Sequence, residues 1–292
     1  VSYVSIRGVS VGDNTCLVCE SELTAGYKSW HLLCKNCGYE KANLQQTINS
    51  HLTHQLIDEN AREKGLRELR KSNFTIIAEK IKSLKPNGGS LLDVGCAHGW
   101  FIETVGDDFE VLGLEPDKRI FEKTSRRNLA IRMGYFPQAL GDCEKFDVIV
   151  FNDVIEHIPD IKRTLAYCHE HLNDDGLLVL NLPSNNGVAY CLSKIFCKFG
   201  LPKFFYRLWQ KGFPSPHLHY FNLPNLTSFL ESNKFNVKTK GTLPTIRLNG
   251  LYPRISYDRR LGRIVSAFIC IGVALLLPIL RFLPNDIVYV VA

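Results

Sequence analysis

The chain has 292 residues, a formal net charge of +6, 45% hydrophobic residues, ten cysteines and a single methionine. That length supports one large or two modest domains with a real core. With 22% charged and 11% aromatic residues, the composition excludes a disordered tail, a collagen-like fibre and a repeat array. Ten cysteines would staple a short secreted domain, but a chain this long does not need such staples. No basic, apolar leader opens at Val1, so the expected location is cytoplasmic.

The net charge hides an asymmetry. Residues 1–54 carry four charges of each sign, and residues 55–85 carry eight basic against five acidic. Residues 86–183 hold nine basic against seventeen acidic residues, whereas residues 184–292 hold fourteen basic against three acidic. A last third of that sign suits an anionic partner: a phosphorylated or glycan acceptor, nucleic acid or a membrane surface.

In chain order, the first segment (1–54) is rich in Cys and Gly and lacks helical periodicity. Cys16-x-x-Cys19 is followed after fourteen residues by Cys34-x-x-Cys37. Two such knuckles bring four thiolates to one tetrahedral point, which reads as a structural zinc site in a ribbon. Next comes a connecting amphipathic helix within 55–89, from Leu56 to Leu84, with Ile57, Ala61, Leu66, Leu69, Phe74, Ile77 and Ile81 on one face. Lys85-Pro86-Asn87-Gly88-Gly89 stops it.

From residue 90 to 292 apolar runs alternate with helical stretches. Leu91–Val94, Val111–Leu114, Phe146–Phe151 and Leu177–Leu182 are mostly apolar runs without strict alternation, the pattern of parallel strands covered on both faces. The expected class is α/β, a doubly wound Rossmann-like sheet with a small N-terminal zinc ribbon.

The first of those strands runs into Asp93-Val94-Gly95-Cys96-Ala97-His98-Gly99, and a helix follows. Glycines let the backbone approach a ligand, and the helix start offers free N–H groups. Twenty residues after Gly95, at the end of the next apolar run, stands Glu115, placed to accept both ribose hydroxyls of a nucleoside. The loop lacks the three-glycine pattern that admits a pyrophosphate, and Asp93 would repel phosphate. An acidic residue there suits a cofactor bearing an ammonium or sulfonium group, and S-adenosylmethionine carries both.

These residues, with Phe146-Asp147-Val148-Ile149-Val150-Phe151-Asn152-Asp153-Val154-Ile155-Glu156-His157, resemble the class I S-adenosylmethionine-dependent methyltransferases. His171-Leu172-Asn173-Asp174-Asp175-Gly176 and the strand after it are similar to the helix–turn–strand that follows in that family. The resemblance covers about residues 90–184 and implies a seven-stranded sheet closing in an antiparallel hairpin, with Phe235–Lys240 and Asp286–Val291 as closing strands. It implies that Asp93, Gly95 and Gly99 line the methionine end of the cofactor, that Glu115 holds the ribose and that Asn152 touches the methionine portion. By position either Gln138 or Asp142 meets the adenine, with Gln138 preferred.

For the acceptor side, Asp153, Glu156 and His157 fall at i, i+3 and i+4 and would share one helical face, able to bind a cation or move a proton. His217 and His219 alternate within a proline- and aromatic-rich stretch, and either is a candidate general base. Arg207 could clamp a phosphate.

Ile264–Leu280 holds seventeen residues without a charge, between Arg259, Arg260, Arg263 and Arg281. At ~1.5 Å per residue it spans roughly 25 Å, short of a bilayer core of about 30 Å. It reads as an interfacial helix at the inner face of a membrane, or as a helix buried in a homodimer. A zinc module ahead of such a core resembles bacterial methyltransferases acting on deoxysugars. The expected acceptor is a saccharide, nucleotide sugar or lipid-linked glycan. Ribosomal RNA is the enzymatic alternative, disfavoured by the charge-balanced ribbon. A non-catalytic zinc-ribbon scaffold is the other.

Overall fold

A computed structural model describes residues 14–47, 59–246, 248, 250–256, 262–280 and 282–292. The flanking Arg259, Arg260 and Arg281 and the helix start at Leu56 and Ile57 lie outside the described residues.

Three short strands open the fold: β1 (Thr24–Ala25), β2 (His31–Leu33) and β3 (Glu40–Ala42). Helix α1 (Glu59–Leu84) buries Leu69, Phe74, Ile77 and Ile81 against the sheet that follows. That sheet is built from β4 (Ser90–Val94), α2 (Trp100–Val105), β5 (Glu110–Glu115), α3 (Lys118–Ser125) and β6 (Ile131–Met133). It continues through β7 (Phe146–Asn152), a 3-10 turn at Ile155–His157, α4 (Ile161–His171) and β8 (Leu172–Pro183). Next come α5 (Val188–Lys198), α6 (Lys203–Leu208), β9 (His219–Tyr220) and α7 (Leu223–Ser232). The chain closes with β10 (Thr239–Leu243), α8 (Leu251–Ser256), α9 (Arg263–Leu280) and β11 (Ile287–Val291).

The large sheet has seven strands in the order β10-β11-β8-β7-β4-β5-β6. β8, β7, β4, β5 and β6 run parallel, and β11 is antiparallel to both its neighbours. Strands buried on both faces must be apolar at every position, which is why Leu91, Leu92, Val148, Ile149, Val150 and Phe151 are all fully enclosed. The strand order reverses between β4 and β7, so loops at the carboxyl ends of those strands open the ligand crevice.

The ribbon does not stand apart from this core. Its sheet runs β1-β2-β3-β9, so its fourth strand, His219–Tyr220, comes from the far end of the chain, with Glu40 opposite Tyr220 and Lys41 opposite His219. Tyr39 fills the gap between the layers and packs on His219 and Phe221. No helix among the described residues is long and apolar enough to cross a membrane.

Candidate functional site

At the end of β4 the chain turns through Gly95 at φ +72°, a left-handed conformation that suits glycine. A Cβ there would lie 2.6 Å from Val154 Cγ2, so the turn and the β7 loop touch backbone to side chain. Two residues later the Ala97 N–H donates to Glu115 Oε2 at 2.9 Å, and the Asp117 N–H donates to Oε1 at 2.7 Å. Glu115 is thereby held at the carboxyl end of β5 beside the glycine loop. Burial pushes its carboxyl up to about 7, with the charge of Asp117 adding.

Asp93 is enclosed, and neither carboxylate oxygen meets a hydrogen-bond donor among the described residues. Burial pushes it up to about 8, against the pull of the neighbouring Asn152 amide and with the Glu115 charge adding. Across the crevice Asn152 accepts from Asn181 Nδ2 at 3.3 Å, while its own Nδ2 finds no acceptor among the described residues. Buried polar groups without partners are costly and rare. Asp93 and Asn152 thus leave buried polar atoms unpaired at the carboxyl ends of β4 and β7, beside the Gly95 turn and the Glu115 carboxylate. That is the donor set an ammonium- and hydroxyl-bearing adenosyl cofactor fits. Gly99 (φ +70°) caps the start of α2.

Gln138 lies exposed in the turn after β6. Tyr135, two residues past that strand, is instead the side chain that senses Glu115 and Asp117: burial first, then their charges, raise its phenol. Sequence reasoning passed over it, although an aromatic residue directly after the third parallel strand was the available signal.

On the acceptor side, the one helical face expected for Asp153, Glu156 and His157 is not formed. Asp153 adopts φ +54°, and a 3-10 turn replaces the helix. Asp153 turns away to pair with Arg70 of α1 at 3.0 Å. Glu156 is fully enclosed, both oxygens lacking hydrogen-bond partners among the described residues. Its Oε1 stands 3.9 Å from His157 Nε2 and 4.0 Å from His217 Nε2. Burial, with the charge of Asp153 adding, holds its carboxyl well above the ordinary range.

His157 Nδ1–H donates to the Pro216 carbonyl at 2.9 Å, which leaves the lone pair on Nε2. For His217, Gln210 donates to Nε2 at 2.8 Å and Nδ1–H donates to the Tyr220 hydroxyl at 3.2 Å. That hydroxyl in turn donates to the Leu208 carbonyl at 2.9 Å. His219, two residues on, is placed differently. Its Nδ1 accepts from the Tyr39 hydroxyl at 2.5 Å and its Nε2–H donates to the Ile158 carbonyl at 3.0 Å. Burial drives it down to about 3. His217 thus joins Glu156 and His157, whereas His219 serves the ribbon contact and offers no basic nitrogen to a substrate.

The four ribbon thiols converge. Cys16 Sγ lies 3.5 Å from Cys37 Sγ, Cys19 Sγ lies 3.4 Å from Cys34 Sγ, and all four are within 4.8 Å of one another. Tetrahedral thiolates around zinc stand about 3.8 Å apart, and all ten cysteines are free thiols, so the set fits a four-coordinate metal. A second buried network, unseen in the sequence, ties the ribbon to α5. Glu40 accepts from His31 at 2.8 Å, from the Tyr190 hydroxyl at 2.5 Å and from Lys194 at 3.2 Å. Trp209 Nε1–H donates to Tyr190 at 3.0 Å. Burial alone would raise the Glu40 carboxyl, but His31, Lys194 and Tyr190 together hold it below the usual range.

A methyltransferase-domain family model matches residues 62–240, and the chain belongs to that methyltransferase family. It is 26% identical over 210 residues to the mitochondrial ubiquinone biosynthesis O-methyltransferase of Homo sapiens, 64% of this chain and 54% of that protein. It is 28% identical over 166 residues to the Bos taurus protein of the same name, 52% of this chain and 43% of that protein. The chain thus spans about half the length of these curated relatives. In fold it resembles a methyltransferase of Thermotoga maritima described as a possible histamine N-methyltransferase, at 15% identity and TM-score 0.50, covering 80% of this chain and 93% of that one.

Proposed function

We propose that the protein transfers a methyl group to a hydroxyl of an anionic saccharide, nucleotide sugar or lipid-linked glycan. The observation that carries the oxygen acceptor is the enclosed Glu156–His157–His217 cluster, one short turn from the cofactor crevice. The O-methyltransferase name of the curated relatives supports it. The basic last third supports an anionic acceptor.

Asp93 meets the cofactor ammonium, Glu115 the ribose hydroxyls and Asn152 the methionine portion, with Gly95 and Gly99 giving the backbone its close approach and Tyr135 flanking the adenosine. When bound, S-adenosylmethionine supplies a methyl group on a sulfonium, a leaving group that departs as neutral thioether. His157 accepts the acceptor's proton at Nε2 as the new C–O bond forms, because its Nδ1–H is fixed on Pro216. Glu156 is the carboxyl an imidazolium there would pair with. His217, fixed through Gln210, Tyr220 and Leu208, forms the opposite wall. Closing donor and acceptor together in this enclosed space supplies orientation, the larger share of such catalysis. Cys16, Cys19, Cys34 and Cys37 hold a structural zinc, which shapes the wall carrying β9.

The test is incubation with labelled S-adenosylmethionine and saccharide, nucleotide-sugar, glycolipid and RNA pools, with the methylated atom located by mass spectrometry. An O-methyl ether in a glycan pool is expected. Label confined to RNA, or to nitrogen or carbon, overturns the reading.

A further inference from the structure

Helix α9 carries no charged residue from Ile264 to Leu280, yet most of it faces outward. Ile264, Phe268 and Leu275 are 74%, 71% and 75% exposed, and Phe282 just beyond is 91% exposed. The helix packs on α8, which packs on α1, and Ser266 and Leu277 are its buried side chains among the described residues. A second apolar row stands on α5 and the turn after it: Leu192, Ile195, Phe196, Phe199 and Leu201 are all exposed. The start of α5 is joined to the segment that follows α9. The Val188 N–H donates to the Pro284 carbonyl at 3.0 Å, and the Asp286 carboxylate accepts from the N–H groups of Ala189 and Tyr190 at 3.2 and 2.9 Å. Single exposed apolar residues need no explanation, but a surface of this extent does.

We propose that the face formed by α9, residues 282–283 and α5 seats on an anionic lipid surface. The charge distribution selects that occupant over a second copy of the chain. Lys198, Lys203 and Arg263 are exposed and border the apolar rows, and residues 184–292 hold fourteen basic against three acidic residues. One of those three, Asp286, is turned inward on α5. Two copies pressed together there would set cation against cation, whereas anionic headgroups neutralise them. The helix lies in the interface and does not cross it. Its 18 residues reach about 27 Å, Pro278 interrupts it, and the chain re-enters the core sheet at β11 directly afterwards.

The seating also bears on the acceptor, and here it rests on the O-methyl reading above. From the exposed turn at Phe199–Leu201 the chain passes through α6 to Trp209 and Gln210, and Gln210 holds His217. A lipid-linked acceptor lying in the bilayer would thus offer its polar head along α6 to the buried cluster.

The test is flotation of the full chain with vesicles of phosphatidylcholine alone and with phosphatidylglycerol added. Light scattering measures the mass in parallel, and calorimetry measures S-adenosylmethionine binding. Flotation only with the anionic lipid is expected, lost in high salt. Phe268→Glu with Leu275→Glu should abolish flotation without changing mass or cofactor binding, and Lys198→Glu with Lys203→Glu should weaken it. Failure of the native chain to float on either vesicle overturns the proposal. So does a native dimer that Phe268→Glu converts to a monomer. Flotation is read without an acceptor, so methylation of an unexpected atom would break the functional reading and leave this result standing.

Discussion

The cofactor crevice and the ribbon interface are both buried and polar, and they handle their polar groups in opposite ways. In the crevice, both Asp93 oxygens and Asn152 Nδ2 lack partners among the described residues. In the ribbon interface, Glu40 accepts from four side chains, and each nitrogen of His31 and His219 is engaged. An unpaired buried group costs stability unless something outside the fold completes it, whereas a saturated one contributes order. The first pattern marks where a ligand goes, the second where two parts of the chain are fastened.

Four experiments would break or sharpen that contrast. The largest effect is expected from Cys34→Ser or a strong chelator. Structural zinc stabilises small ribbons by about 10–16 kcal/mol, so the ribbon should unfold and methyl transfer collapse. Calorimetric affinity for S-adenosylmethionine should stay within severalfold, since Asp93 and Glu115 are carried by β4 and β5 of the large sheet and not by the ribbon's own sheet. Loss of both together would mean the two regions are not separable. Next is Glu40→Ala, which strands His31, Tyr190 and Lys194. A loss of roughly 3–5 kcal/mol is expected for breaking one partner of a buried charge network, read from urea denaturation.

The two histidines should then part company. His157→Ala should lower kcat by about 10²–10⁴ with little change in melting temperature. His219→Ala should do the reverse, costing about 1–3 kcal/mol of stability for the orphaned Tyr39 hydroxyl and Ile158 carbonyl, with kcat preserved in the molecules that remain folded. A pH-independent kcat in His157→Ala at low pH would complete the assignment.

The smallest effect concerns protons on Asp93. The folded protein holds this acid up to about 8 against an ordinary 3.8. In the free protein it keeps a proton that the unfolded chain has already lost, so its contribution to stability is present at low pH and falls as pH rises from about 4 through about 8. Cofactor binding runs the other way. A protonated Asp93 must ionise to meet an ammonium, so affinity should rise by up to about tenfold per pH unit below about 8 and then level off, with proton release visible in calorimetry. Asp93→Asn should raise the stability of the free protein, weaken binding and leave only the pH dependence that Glu115, held up to about 7, contributes.

Much of the crevice is legible in the sequence because its elements are local. Mostly apolar runs mark β4, β5, β7 and β8, and Asp93, Gly95 and Glu115 follow two of them at fixed spacing. The closing strand β10 is less so. The sequence points to Phe235–Lys240, but the strand is Thr239–Leu243, because Phe235 spends its apolar surface in the core beside α7 and a half-exposed edge strand tolerates Lys240 and Gly241. The turn at Ile155–His157 defeats helical spacing because Asp153 enters a left-handed conformation just before it. The fastening of Tyr39 to His219 spans 180 positions and leaves no periodic trace.

The pairing of β3 with β9 sets an order of events during synthesis. Residues 31–42 leave the ribosome long before residue 219 exists, so the cysteine-bearing hairpin must wait with Glu40–Ala42 as an open edge until His219 and Tyr220 have been made. Contacts of such long range form late and slowly, and an open edge is the place where strands of other chains pair. A fragment ending before residue 219 therefore keeps its cysteines and loses its fourth strand, and the ribbon reaches its finished form as one of the last parts of the enzyme rather than the first.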